Sequence, residues 1–184
     1  MVAQYHTLRL TLTDGSVLEP VAVGSGFHRG WPMISLKRHR GMDMSTAHDV
    51  AAYILENRGP MTTMKLQKLV YYSQAWSLVW DERPIFEERI EAWANGPVVR
   101  VLYNRHRGFF QVSKWSGDPG ALDKDAHDTI DEVLRFYGDK SSQWLVDLTH
   151  RERPWREARE GLQSGERGDR EITLDAMADY YGSL

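Results

Sequence analysis

Near the N-terminus the apolar residues alternate with polar ones. Leu8, Leu10 and Leu12 fall on one face, with Thr7, Arg9 and Thr11 on the other. Asp14-Gly15 follows, then Val17, Leu18, Val21 and Val23, a spacing that predicts a β-hairpin with a two-residue turn. Gly24-Ser25-Gly26 and the basic run Lys37-Arg38-His39-Arg40-Gly41 read as a linker. From Ser45 the period becomes helical. Thr46 with Asp49 predicts a capping box, Ala47, Val50, Ala51, Ile54 and Leu55 form the apolar stripe, and Gly59-Pro60 ends it. Thr63 predicts the cap of a helix reaching about Trp80. Its apolar arc through Leu66, Leu69, Val70, Tyr72, Trp76 and Val79 is wide enough for burial among other helices.

Residues 86–93 alternate loosely and predict a short strand. Asn95-Gly96-Pro97 predicts a helix start, with Pro97 at the first helical position, Val98, Val99, Leu102 and Tyr103 facing inward and Gly108 at the end. Phe109 to Trp115 alternates again and is expected to pair with the strand at 86–93. Further helices are expected from Leu122-Asp123 to Gly138, after Ser141 or Ser142, from Pro154-Trp155, and from Thr173 through Tyr181. The fold class expected is mainly α (α+β): a compact helical domain over residues 44–184 with a small two- or three-stranded sheet. Residues 1–43 form a hairpin-like extension. Two readings stay open for that extension: a native hairpin, or a stretch ahead of a native start at Met42 or Met44.

Composition narrows the classes. A chain of 184 residues with 41% hydrophobic residues can bury one ordinary core. No cysteine is present, which removes disulfides, thiolate nucleophiles and Cys-ligated zinc and fits a cytoplasmic setting. No apolar run has the roughly 20 residues a membrane helix needs, and no signal peptide is legible. Residues 1–43 carry five Lys/Arg against three Asp/Glu, and the remainder 18 against 23. An acidic body argues against nucleic acid as the main partner.

No catalytic or metal constellation stands out. The seven His are scattered, without an H-E-x-x-H or a His pair at helical spacing, so neither a metal nor a cofactor is expected. Glu87 and Glu88 would point to opposite faces of a strand. Gly24-Ser25-Gly26 lacks the lysine of a phosphate loop. Three stretches remain. In Lys65-Leu66-Gln67-Lys68-Leu69-Val70-Tyr71-Tyr72, Leu66, Leu69 and Tyr72 are expected in the core, with Lys65, Lys68 and Tyr71 nearer the surface. In Glu91-Ala92-Trp93-Ala94-Asn95-Gly96-Pro97-Val98, Trp93 is expected to pin the strand to the core and Glu91 to bond a Lys or a helix end. In Thr149-His150-Arg151-Glu152-Arg153-Pro154-Trp155, Glu152 is expected to bond free N–H groups of the next helix.

In this order and spacing the three stretches resemble the Panacea domain of SocA-like, phage-associated proteins, over about residues 45–183. The residues that carry the resemblance are Lys65, Gln67, Lys68, Tyr72, Glu91, Trp93, Gly96, Pro97, Thr149, His150, Glu152 and Trp155. The resemblance implies a mostly helical, non-enzymatic antitoxin of a two-gene pair. It would neutralise a cognate toxin, encoded by an adjacent gene, through direct contact. It also implies an alternative, an adaptor that delivers the toxin to a cytosolic AAA+ protease. It brings no catalytic residues. Trp80, Tyr103, Arg107 and Trp115 are the expected partner anchors, because Trp, Tyr and Arg dominate interface hot spots. A reading of another class remains: a small hydrolase or transferase using His150 and Glu152.

Overall fold

The computed structural model describes residues 10–11, 17–18 and 45–184. The chain divides between residues 43 and 44. In the first unit β1 (Leu10–Thr11) pairs antiparallel with β2 (Val17–Leu18), with Leu10 opposite Leu18. The expected Asp14-Gly15 turn and the basic linker lie outside the described residues.

In the second unit α1 (Ala47–Arg58) starts on the expected capping box. Thr46 Oγ1 accepts from the Asp49 N–H, and Asp49 accepts from the Thr46 N–H. Gly59 closes the helix at φ 71°. Two residues of β3 (Met61–Thr62) lead into α2 (Thr63–Trp80), capped by Thr62, one residue before the expected cap. Every residue from Leu66 to Ser77 is buried, so this helix is enclosed on all sides. Packed around it are α1, α4 (Lys124–Tyr137), α5 (Ser142–Arg151) and α7 (Leu174–Tyr181). The short α6 (Arg153–Ala158) follows α5, with Pro154 in its first turn.

The stretch after Trp93 departs from expectation. β4 (Ile90–Trp93) turns through Ala94–Asn95 into a second strand, β5 (Gly96–Val99), and helix α3 begins only at Arg100 and runs to His106. Gly96 sits at φ 97°, a conformation that favours glycine, while Ala94 and Asn95, the two loop residues between the paired Trp93 and Gly96, keep negative φ. Asn-Gly is thus a hairpin signal here, and Pro97 lies in a strand. The ladder tolerates it because of register. The Ala92 N–H, opposite Pro97, points away from β5 and donates to the Arg170 carbonyl at 2.8 Å, so no β4–β5 bond needs a Pro97 N–H. Ile172 N–H donates to Ile90 O on the same side, which makes β4 the inner strand.

The second correction concerns β6 (Gln111–Val112). It pairs with β3, Met61 opposite Val112, and not with the strand at 90–93. Among the described residues no helix is long and apolar enough to cross a membrane, and no group of three or more His, Asp and Glu could hold a metal.

Candidate functional site

The three motif stretches converge on the hairpin edge that faces α2. There the outer main chain of β5 has no strand neighbour, and α2 supplies side chains in its place. Gln67 Oε1 accepts from the Val99 N–H at 2.8 Å, and Gln67 Nε2 donates to the Val99 carbonyl at 3.2 Å. The same Nε2 lies 2.9 Å from His106 Nε2, so that nitrogen accepts. One side-chain amide therefore behaves as a residue of a third strand. Lys68 Nζ donates to the Pro97 carbonyl at 3.0 Å. Lys68 is 1% exposed and Tyr71 wholly buried, so both belong to the core rather than near the surface; Lys65 is half-buried. Burial alone pulls the Lys68 ammonium down to about 7.

Gly96 carries the link to the third stretch. A Cβ there would stand 2.7 Å from Lys68 Cε and 2.8 Å from Thr149 Oγ1. Close passage of three chain segments therefore requires glycine, in addition to the positive φ. Thr149 Oγ1 donates to the Val146 carbonyl at 2.9 Å.

Glu152 takes a different role from the one expected. It makes no side-chain cap on α6. Its carboxyl turns inward and accepts from Tyr72 Oη at 3.1 Å and Tyr181 Oη at 2.7 Å. Burial pushes it up to about 8, although both tyrosine bonds act to lower it. Tyr181 lies 3.2 Å from Tyr71 Oη, and Tyr72 stacks flat on Tyr137 at 4.2 Å.

Trp155 closes the circuit. Its indole N–H donates to the Trp93 carbonyl at 2.9 Å, and its ring stacks on His150 at 4.0 Å and under the Arg159 guanidinium at 5.3 Å. Burial, then the nearby Lys68, lower the His150 imidazole. His150 and Glu152 engage separate neighbours, an aromatic ring and two tyrosine hydroxyls, and do not form a proton-transfer pair. Glu91 accepts from Trp93 Nε1 at 2.7 Å and from Arg100 Nε at 2.8 Å, at the first turn of α3, so its helix-end partner is an arginine. Burial would raise the Glu91 carboxyl, but these two bonds outweigh it and hold it below the usual range.

Of the expected anchors Trp80 lies apart, while Tyr103 and Trp115 both pack on the His106 ring, at 5.5 and 6.2 Å, and Arg107 follows it in the chain. Trp80 stacks on Trp76 at 4.8 Å at the far end of α2, about 20 Å along the helix from Gln67. Tyr103 packs edge-on against Trp93 at 4.5 Å. Arg107 is exposed just after α3. Trp115 is half-buried, donating to His48 Nδ1 at 3.0 Å.

Several contributors carry no motif signal. Gln74, two helical turns after Gln67, repeats its device on another segment: it accepts from the Ile85 N–H at 2.9 Å and donates to the Phe86 carbonyl at 2.8 Å. Arg159, 6% exposed, donates to the Ala92 carbonyl at 2.9 Å. The spacing of two glutamines on an otherwise apolar helix was the available signal for Gln74. Nothing local marks Arg159, whose partner is 67 residues away.

This arrangement defines a class: a helical scaffold in which the motif residues are spent on internal contacts around one hairpin. The family described as Antitoxin SocA-like, Panacea domain, matches residues 66–156, from the first buried turn of α2 into α6. Over this stretch the chain matches that family. Antitoxin SocA of Caulobacter vibrioides (strain NA1000 / CB15N) is 30% identical over a 104-residue alignment covering 50% of this chain and 55% of the relative. The chain thus spans little more than half of that relative's length. No solved structure matches it. The family match is narrower than the 45–183 of the motif resemblance; α1 and α7 lie outside it, yet both pack on α2.

Proposed function

We propose that this chain is the antitoxin of a two-gene pair and that it neutralises a cognate toxin, the product of an adjacent gene, by direct protein–protein contact in the cytoplasm. The observation that carries this reading is the family match over residues 66–156, together with the similarity to a protein named as an antitoxin. The geometry adds a division of labour. Gln67, Lys68, Gly96, Thr149, Glu152 and Trp155 have their contacts inside the molecule, so they build the scaffold and exposed residues meet the partner.

The test is co-expression with the adjacent gene product. That product alone is expected to arrest growth, and growth is expected to return when this chain is co-produced. A neighbour that is harmless alone, or still toxic in the pair, defeats the reading. In the rescued cells the toxin's half-life is expected to stay unchanged. A shortened half-life would replace sequestration by delivery to a protease.

A further inference from the structure

One surface of the second unit is built for contact that the fold itself does not use. Phe109 and Phe110 are 65% and 82% exposed and stand next to each other between α3 and β6. Adjacent solvent-facing phenylalanines are costly unless something covers them, since each can bury 150 Å² or more. They are not on a loose tip. The Phe109 N–H donates to the His106 carbonyl at 2.9 Å, the Phe109 carbonyl accepts from Thr63 Oγ1, and the Phe110 carbonyl accepts from the Thr63 N–H at 3.1 Å. The pair is therefore presented in a fixed position, so covering it forfeits little backbone freedom.

Three further features lie beside it. A shallow groove of about 280 Å³ runs from Phe109 past Gln111 to Trp115. The register of the β3–β6 ladder, in which Thr63 and Phe110 form the hydrogen-bonded pair, turns the Gln111 N–H and C=O outward, and neither has a partner among the described residues. The third feature is charge. Residues 96–117 hold Arg100, Arg105, Arg107 and Lys114 and no Asp or Glu, inside a body that is otherwise acidic. Arg105, Arg107 and Lys114 are exposed and form no ion pair among the described residues.

We propose that the Phe109–Phe110 pair and the adjoining β6 edge are the docking surface for an extended, acidic segment of the toxin that carries apolar side chains. The inference rests on the antitoxin reading above and names the surface and the partner chemistry. An outward strand edge accepts an extended chain by main-chain bonds, the phenylalanines take its apolar side chains, and the unpaired cations select Asp and Glu.

The experiment uses the full chain with the co-expressed adjacent gene product. F109D/F110D is expected to keep the wild-type melting temperature, both rings being in solvent. It should weaken binding by roughly 30-fold or more and abolish rescue. R107E/K114E is expected to slow association about tenfold and to flatten its salt dependence. If the wild type rescues growth and F109D/F110D binds within twofold of it, the surface is refuted and the antitoxin reading stands. If the wild type itself neither binds nor rescues, the antitoxin reading falls and the docking proposal with it. If F109D/F110D turns a wild-type dimer into a monomer with toxin binding intact, the patch is a self-interface and the proposal is overturned.

Discussion

A carboxyl group buried among tyrosines gives the stability of this protein a pH dependence of defined sign. Glu152 titrates at about 8 in the folded chain against an ordinary 4.5, so between those values the native state holds a proton that the unfolded state has lost. Stability contributed by protonated Glu152 is therefore fully present below about pH 4.5 and is lost as pH rises through 8. Lys68 acts in the other direction. Depressed to about 7 from 10.5, it makes the unfolded state bind the extra proton, and stability rises between those values. Glu152→Gln keeps an acceptor for Tyr72 and Tyr181 without the titration. Urea unfolding of this variant is expected to lack the wild-type decline between pH 5 and 8 and to give a more stable protein than wild type at pH 8; an unchanged slope would place the titration elsewhere. Gly96→Ala meets both a positive φ and the Lys68 and Thr149 side chains, and is expected to lower stability by about 2–5 kcal/mol, read from the denaturation midpoint.

At the scale of elements, the hairpin of β4 and β5 is held by α2 through the Gln67 amide. Gln67→Leu preserves volume and helix propensity but leaves the Val99 N–H and C=O without partners. A loss of about 2–4 kcal/mol is expected in chemical denaturation, with α2 intact by circular dichroism. The helices around this hairpin were legible in the sequence because capping residues and the 3.6-residue period are local. Thr46 with Asp49, Ser141 and Thr173 each cap where the pattern says. The hairpin was not, because Asn95-Gly96-Pro97 serves equally as a turn into a strand and as a helix start. The choice is made by Gln67, 32 residues away, which captures Val99 in extended form. The pairing of β6 with β3 was hidden for the same reason. In the buried cluster, sequence order revealed which residues matter through their family pattern. It did not reveal that Glu152 faces tyrosines rather than helix N–H groups, since that depends on Tyr181 arriving from another helix.

Across the whole molecule the contacts that complete the core join distant parts of the chain. Tyr71 meets Tyr181 across 110 residues, Tyr72 meets Glu152 across 80, and Ile172 bonds the inner strand at Ile90. Folding through such separations is slow compared with forming local helices. It also has an order imposed by synthesis. On the ribosome α1, α2, the hairpin and α4 are made first, and the last-made of the described elements, residues 170–181, supplies the bond to β4 and a hydroxyl for the buried carboxyl. A chain stopped at Asp169 is expected to be protease-sensitive, with a broad unfolding transition, although it contains the whole of 66–156. If the chain is the antitoxin proposed above, this has a temporal consequence: a half-translated copy would offer no protection, and the interval between the start of translation and the docking of Tyr181 would be time in which the cell depends on copies finished earlier.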